Sequence, residues 1–429
     1  MDMTQTTTGM KSLPIRESKD LTIVQKLARR GLLRAFACVR YGRLTIADGE
    51  DTFSFEGAET GPDAHVSILD PQVWSEVAFR GSVGSGEAYM DGYWTTSSLD
   101  QVARFFVANS HLTDQLESGL TRFFYIVLQA VHWLNRNTVR GSKRNIEAHY
   151  DLGNQLFETF LDPTLMYSSA LFSDDNKDLH KASLEKLDHI CRKLHVKPTD
   201  HVLEIGTGWG GFAVHAAKNY GCQVTTTTIS EEQYNHAVQL VQRLNLSDRV
   251  TVLKKDYRDL TGQYDKLVSI EMIEAVGHHY LDTYVNTLSS RLKPEGLALI
   301  QAITIVEQRY LLAVKSVDFI KRYIFPGGFI PSVGSIMRAI GRASDLRLLH
   351  FEDFASHYAR TLAEWRKRFN DEKQRILQLG YDERFCRMWE FYLAYCEGGF
   401  HERQLGLAQL ILAKPKARQE PPVLELRLS

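Results

Sequence analysis

The sequence predicts an α/β fold, a doubly wound and mostly parallel sheet, carried behind a smaller N-terminal α+β domain. Three observations predict it. After Lys197 short apolar runs alternate with helix-length amphipathic ones, the pattern of strands feeding crossover helices. The first of those runs, "VLEI", opens into the glycine-rich "GTGWGG", a turn that lets backbone pass close beneath a ligand at the carboxyl edge of such a sheet. Residues 21–120 lack this alternation and read as a helix, then strands joined by Gly/Asp turns.

In chain order, residues 1–20 are polar, lack the apolar core of a secretory signal, and are expected to be disordered. "LTIVQKLARRGLLRAFACVRYGR" has helical apolar spacing, and "GRLTIADGEDTFSFEG" and "HVSILD" read as strands. Gly81 to Gly92 mark a turn-rich loop, and Ser98 or Asp100 can cap the helix that follows. Residues 121–145 read as an apolar and aromatic helix ending in the basic Arg136, Arg140, Lys143 and Arg144. Two readings stand for it: a helix lying in a bilayer interface, or one that packs one domain on the next before a basic linker. Residues 146–416 form the α/β domain, with strands at "HVLEIG", "CQVTTTTIS", "RVTVLKKD", "YDKLVSI", "LALIQAITI", "LRLLHFEDF" and "LAQLILAKP" and an insertion at 306–345; residues 417–429 are a tail.

Composition narrows the function. Lys plus Arg number 51 and Asp plus Glu 52, so a net charge of -1 gives no drive toward nucleic acid. The five cysteines are widely spaced, without a CxxC pair or histidines at zinc-ligand intervals, which fits a reducing cytosol and no metal site. No run approaches the ~18 apolar residues of a membrane span. His278 and His279 in "SIEMIEAVGHHY" are adjacent and lack a third ligand at a known spacing.

A dinucleotide enzyme would show GxGxxG and an acidic residue at the end of the second strand, whereas this chain has GxGxG and "TTTTIS". The E-x-G-x-G-x-G loop, with Asp256 after the third strand in "KKDYRDL", resembles instead the S-adenosylmethionine (SAM) site of class I methyltransferases. Beyond it, "AHYDLGNQLFETFLDPTLMYSSALF", "EIGTGWGG", "TTISEEQ", "DYRDL", "EMIEAVGHHY", "DFIKRYIFPGGFIPS" and "HYARTLAEW" resemble, in order and nearly in wording, the cyclopropane fatty acid synthases and mycolic acid methyltransferases. Upstream, "GSVGSGEAYMDGYW" resembles the end of the N-terminal lipid-binding domain of the bacterial enzymes.

That resemblance implies methyl transfer from SAM to a cis double bond of an unsaturated acyl chain of membrane phospholipid. The resemblance further implies that a bound bicarbonate then removes a proton so that a cyclopropane ring closes. It implies that SAM is met by Tyr167, Ser168, Gly206, Gly208, Thr228, Ser230, Gln233, Asp256 and Tyr257. Bicarbonate would be held by Glu274, Tyr358 and the backbone N–H of Ile303, with Gln301 and Ser169 where many members have His and Cys. Glu271, a turn earlier, is expected to face the cofactor edge or solvent. Cys396 in "AYCEGGF" matches a family cysteine proposed as catalytic, although a buried structural thiol suits its helix better. The aromatic insertion would wall an acyl tunnel. The resemblance also implies a homodimer and a cytoplasmic protein on the inner face of the membrane. Ser169 and Gln301 keep a second product open, a methyl-branched or methyl-alkene chain formed without ring closure.

Overall fold

A computed structural model describes residues 21–112, 152–173 and 178–419. The expected helix and basic linker at 121–145 lie outside the described residues, as do the two termini.

The N-terminal part opens on α1 (Ile23–Phe36), which Thr22 starts with a capping box to Gln25. A small sheet follows, β1 (Tyr41–Asp48), β2 (Asp51–Glu56), β3 (Glu59–Ile68) and the short β4 (Trp94–Thr95), in the order β2-β1-β3-β4. The expected loop at Gly81 to Gly92 is instead helical through Met90. α2 (Gln72–Met90) is kinked at Gly81, where φ is 54°, and then continues. Gly86 serves packing, since a Cβ there would lie 2.3 Å from the Phe319 ring. α3 (Leu99–Ala108) closes this part; Ser98 precedes it but bonds Asp100 rather than the helix backbone.

The second part carries α4 (Asn154–Phe160), α5 (Leu179–Lys193), β5 (His201–Ile205), α6 (Gly211–Tyr220), β6 (Gln223–Thr228), α7 (Glu231–Arg243), β7 (Val250–Lys254), β8 (Tyr264–Ile270), α8 (Leu281–Arg291) and β9 (Leu292–Ile305). After these come α9 (Glu307–Lys315), α10 (Phe319–Tyr323), α11 (Val333–Ala343), β10 (Arg347–Asp353), α12 (Ala355–Asp371), α13 (Lys373–Gln378), α14 (Glu383–His401) and β11 (Leu405–Ala413). The seven strands pair in the order β10-β11-β9-β8-β5-β6-β7, with β5 to β9 parallel and β10 and β11 antiparallel at one edge.

Strand order reverses between β5 and β8, so their carboxyl ends frame the crevice where a doubly wound sheet collects its ligands. Apolar clusters cover both faces of this sheet. A third, aromatic cluster joins α4, α12 and α14 above its carboxyl edge. The N-terminal part docks there through Tyr89 to Glu390 (2.9 Å) and Arg104 to Glu402 (2.8 Å).

One row crosses the sheet against its apolar character. Register places Glu352 on β10 opposite Gln409 on β11, Gln409 opposite Gln301 on β9, and Gln301 opposite Ile270, the last residue of β8. Gln301 and Gln409 are fully buried.

Candidate active site

The cofactor loop leaves β5 through Gly206 and Gly208, both at positive φ (103° and 52°), and Gly210 starts α6 in the left-handed region. Glu204, the first residue of the motif, points into the protein and accepts from the Thr226 hydroxyl at 2.6 Å; burial pushes its carboxyl up to about 8. At the end of β6 the Thr228 hydroxyl donates to the side-chain amide oxygen of Gln233 (2.8 Å), and Ser230 caps α7 by accepting the Gln233 backbone N–H. After β7, Asp256 receives Arg258 in a two-pronged pair at 2.8 and 2.6 Å, so an adenine amino group would have to share that carboxylate. Tyr257 keeps a buried hydroxyl with no partner among the described residues. The Tyr167 hydroxyl meets that of Tyr392 at 2.8 Å, while the Ser168 side chain turns inward to accept from Lys186 at 2.7 Å.

These residues fit SAM. A side chain at Gly208 would project into open space, and Tyr257 offers an orphaned polar atom beside Asp256.

The neighbouring strand end holds the two carboxylates. Glu271 sits just past β8 at φ 49°, in the left-handed region that favours glycine and costs other residues about 1–2 kcal/mol. Its Oε1 accepts from the Ser169 backbone N–H (3.0 Å) and the Gln301 amide (2.7 Å), and its Oε2 from the Tyr358 hydroxyl (2.6 Å). Burial raises its pKa, opposed first by the Tyr358 bond, then by the Lys186 cation and the Gln301 and Ser169 donors. Met272 beside it lies against Gly206, so this carboxylate borders the cofactor loop.

Glu274, three residues on, accepts the Ile303 N–H at 2.5 Å, and its other oxygen is buried without a partner. Burial and the nearby Glu271 push it up to about 8. The pair is thus divided, with the donors gathered on Glu271 and a neutral acid favoured at Glu274.

This departs from the sequence expectation in a definite way. Ser169, Gln301 and Tyr358 do converge, but on Glu271 rather than on an ion held by Glu274, and Ile303 spends its N–H on Glu274. Each donor expected for bicarbonate is already satisfied by a carboxylate of the chain, so the residues present do not fit a separate bicarbonate ion.

Cys396 lies on α14, and burial drives its thiol far above the usual range, a poor setting for a thiolate. His278 bonds the Tyr310 hydroxyl at 2.9 Å, and among the described residues no group of three or more His, Cys, Asp or Glu could hold a metal ion.

Three residues escaped the sequence reading: Lys186 under Ser168, Lys193 on α5, and Gln409. Lys193 donates to Glu352 and, at 2.9 Å, to the side-chain amide oxygen of Gln409. The Gln409 side-chain NH2 donates to the side-chain amide oxygen of Gln301 at 2.9 Å. The signal for Gln409 was a single amide inside the apolar run "GLAQLILA".

A family model described as mycolic acid cyclopropane synthetase matches residues 137–410. The tuberculostearic acid methyltransferase of Mycobacterium tuberculosis is 37% identical over 410 residues, 91% of each chain. The cyclopropane-fatty-acyl-phospholipid synthase of Escherichia coli is 37% identical over 360 residues, 82% of this chain and 88% of that one. The crystal structure of mycolic acid cyclopropane synthase CmaA1 complexed with SAH and CTAB superposes with a TM-score of 0.59 at 28% identity, covering 63% of this chain and 98% of that one. With the sheet order and glycine loop described above, this chain belongs to the mycolic acid cyclopropane synthetase family and has the class I SAM-dependent methyltransferase fold.

Proposed function

We propose that the protein methylates the cis double bond of an unsaturated acyl chain carried by membrane phospholipid, with closure to a cyclopropane as the product. The observation that carries this reading is the meeting of two features at one strand-end crevice. The open Gly206–Gly208 loop stands beside a carboxylate that gathers three donors under the aromatic cluster of Tyr167, Tyr358, Phe400 and Tyr392.

SAM, held by Gly206, Gly208, Thr228, Gln233, Asp256 and Tyr257, supplies an electrophilic methyl group there. An alkene is a weak nucleophile, so the chain's own residues must exclude water and hold the two partners together. The aromatic walls do both, and their faces favour the positive charge that develops on the acyl carbon. Tyr358, stacked on Phe400 at 4.5 Å, is fixed for this role. We assign the acyl wall to the insertion at 306–345, whose Ile320, Tyr323 and Phe325 pack partly exposed against the aromatic cluster. The N-terminal part would face the lipid surface from the cytoplasmic side, in a homodimer. Among the described residues no helix is long and apolar enough to cross a membrane.

A second product reading, a methyl-branched or methyl-alkene chain, draws support from the similarity to the tuberculostearic acid methyltransferase over 91% of the chain. The test is incubation with methyl-labelled SAM and vesicles of cis-monounsaturated phospholipid, followed by analysis of the acyl chains. Label with far-upfield ring protons supports cyclopropane, vinylic or branched-methyl signals select the second product, and no label in the acyl chains overturns both.

A further inference from the structure

We infer that the Glu271 carboxylate is a proton acceptor built into this chain, standing where the family resemblance expects bicarbonate. The inference rests on the acyl-methylation reading above and names the group that completes its chemistry.

Geometry carries it. A site for bicarbonate must supply donors to a planar, oxygen-bearing anion; here a backbone N–H, an amide and a tyrosine hydroxyl converge in that way, and Glu271 presents a planar carboxylate to them covalently. Delivering it there requires a left-handed backbone at Glu271, an arrangement that Gly would adopt without strain. Strain of this kind persists where the surroundings over-determine it, and here three donors do so.

The donors are themselves oriented. Lys193 can only donate, so the Gln409 carbonyl oxygen must face it, and the Gln409 NH2 must face the Gln301 carbonyl oxygen. The Gln301 NH2 is left for Glu271. The register of β11, β9 and β8 thus transmits one polarity from a cation to the carboxylate and holds Glu271 as an acceptor. Glu274 cannot take this part as readily, since it spends one oxygen on Ile303 and is favoured as the neutral acid.

The step balances without a further reagent. Once the methyl group is on the acyl chain, one of its C–H bonds breaks. The proton goes to a Glu271 oxygen, and the electron pair fills the electron-poor carbon. The result is a three-membered ring or, after a hydride shift along the chain, a carbon–carbon double bond. The proton then passes from Glu271 to water when product leaves.

The experiment uses the full chain, the same vesicles and methyl-labelled SAM, in carbon-dioxide-free buffer with and without added bicarbonate. It is paired with carbon-13 NMR of labelled bicarbonate to read binding directly. For the wild type we expect turnover unchanged within about twofold by bicarbonate and no bicarbonate binding. Glu271→Gly, which relieves the backbone, is expected to lose about 100-fold or more in turnover without bicarbonate, as for loss of a general base. It should bind the ion and recover turnover when it is added. Glu271→Gln keeps the shape of the side chain and serves if the glycine variant does not fold; it should lose turnover with no rescue. Wild-type turnover that collapses without bicarbonate and returns with it would overturn the inference, as would full turnover of either variant in its absence. If no acyl chain is labelled in any arm, the methylation reading falls, while bicarbonate binding by the wild type would still overturn the place given to Glu271.

Discussion

Gln301 and Gln409 face each other on antiparallel strands, and the Gln409 amide donates to the Gln301 carbonyl oxygen over 2.9 Å inside the sheet. Neither side chain reaches solvent. A pair of amides in an apolar layer is stable only when every polar atom is matched, and here the matching runs outward to Lys193 on one side and Glu271 on the other.

Gln409→Glu separates orientation from mere packing. The new carboxylate keeps an acceptor for Lys193 but no longer donates to Gln301, whose NH2 then turns toward it and whose carbonyl oxygen turns toward Glu271. Loss of a donor and approach of a lone pair raise the Glu271 pKa. Because the ionised form accepts the proton, the acid limb of the turnover profile should move to higher pH by about one unit, with SAM affinity unchanged. A variant that only lowers the melting temperature and leaves the limb in place would show that the row is structural.

Glu274 is the next test, because the two carboxylates predict opposite sensitivities. Burial pushes Glu274 up to about 8, so near neutral pH it is mostly the neutral acid, which Gln imitates in shape and charge. Glu274→Gln should therefore keep turnover within about tenfold. Glu274→Ala strands the Ile303 N–H and should be worse, with about 1–3 kcal/mol lost in stability. Turnover measured for both variants at equal SAM saturation decides it; a Gln variant as inactive as Glu271→Gln would make Glu274 the proton acceptor instead.

Much of the fold could be read from the chain because its signals are local. The run from Val202 into Gly206 and Gly208, the Ser230 cap and the alternating strands each depend on residues close in sequence. The helix through Gly84 and Gly86 could not be read this way. Its small residues look like a turn until Phe319, more than two hundred positions later, is seen to need the space at Gly86. The same limit hid the role of Glu271. It stands three residues from Glu274 in a stretch where either carboxylate suits the chemistry, and only the register of β8, β9 and β11 with the backbone angle at Glu271 shows which one meets the donors.

At Gly208 the cofactor assignment can be tested with little disturbance elsewhere. A Cβ there would meet no atom within 4 Å, so Gly208→Ala carries only the left-handed backbone cost of about 1–2 kcal/mol. The methyl group would occupy space the assignment gives to SAM. We expect calorimetric SAM affinity to fall by about tenfold or more, from close contact plus backbone adjustment, while a modest drop in melting temperature reports the strain. Unchanged affinity would place SAM away from this turn.

Glu204 gives a stability test with a definite sign. Its folded pKa, raised by burial to about 8, lies above its unfolded value of 4.5, so the folded protein holds this proton more tightly. The favourable contribution is complete below pH 4.5 and is lost as pH rises toward 8, at up to about 1.4 kcal/mol per unit. Glu204→Gln keeps an acceptor for the Thr226 hydroxyl and has no proton to lose. Burial also lowers the pKa of His215, His350 and His357, so the difference between variant and wild type is the quantity to follow. Urea midpoints between pH 5 and 8 should show the variant equal to or slightly below the wild type at pH 5. It should gain relative to the wild type with each unit, reaching an advantage of a few kcal/mol at pH 8. A difference that does not change with pH would mean that Lys186, which also bears on Glu204, keeps the carboxylate ionised throughout.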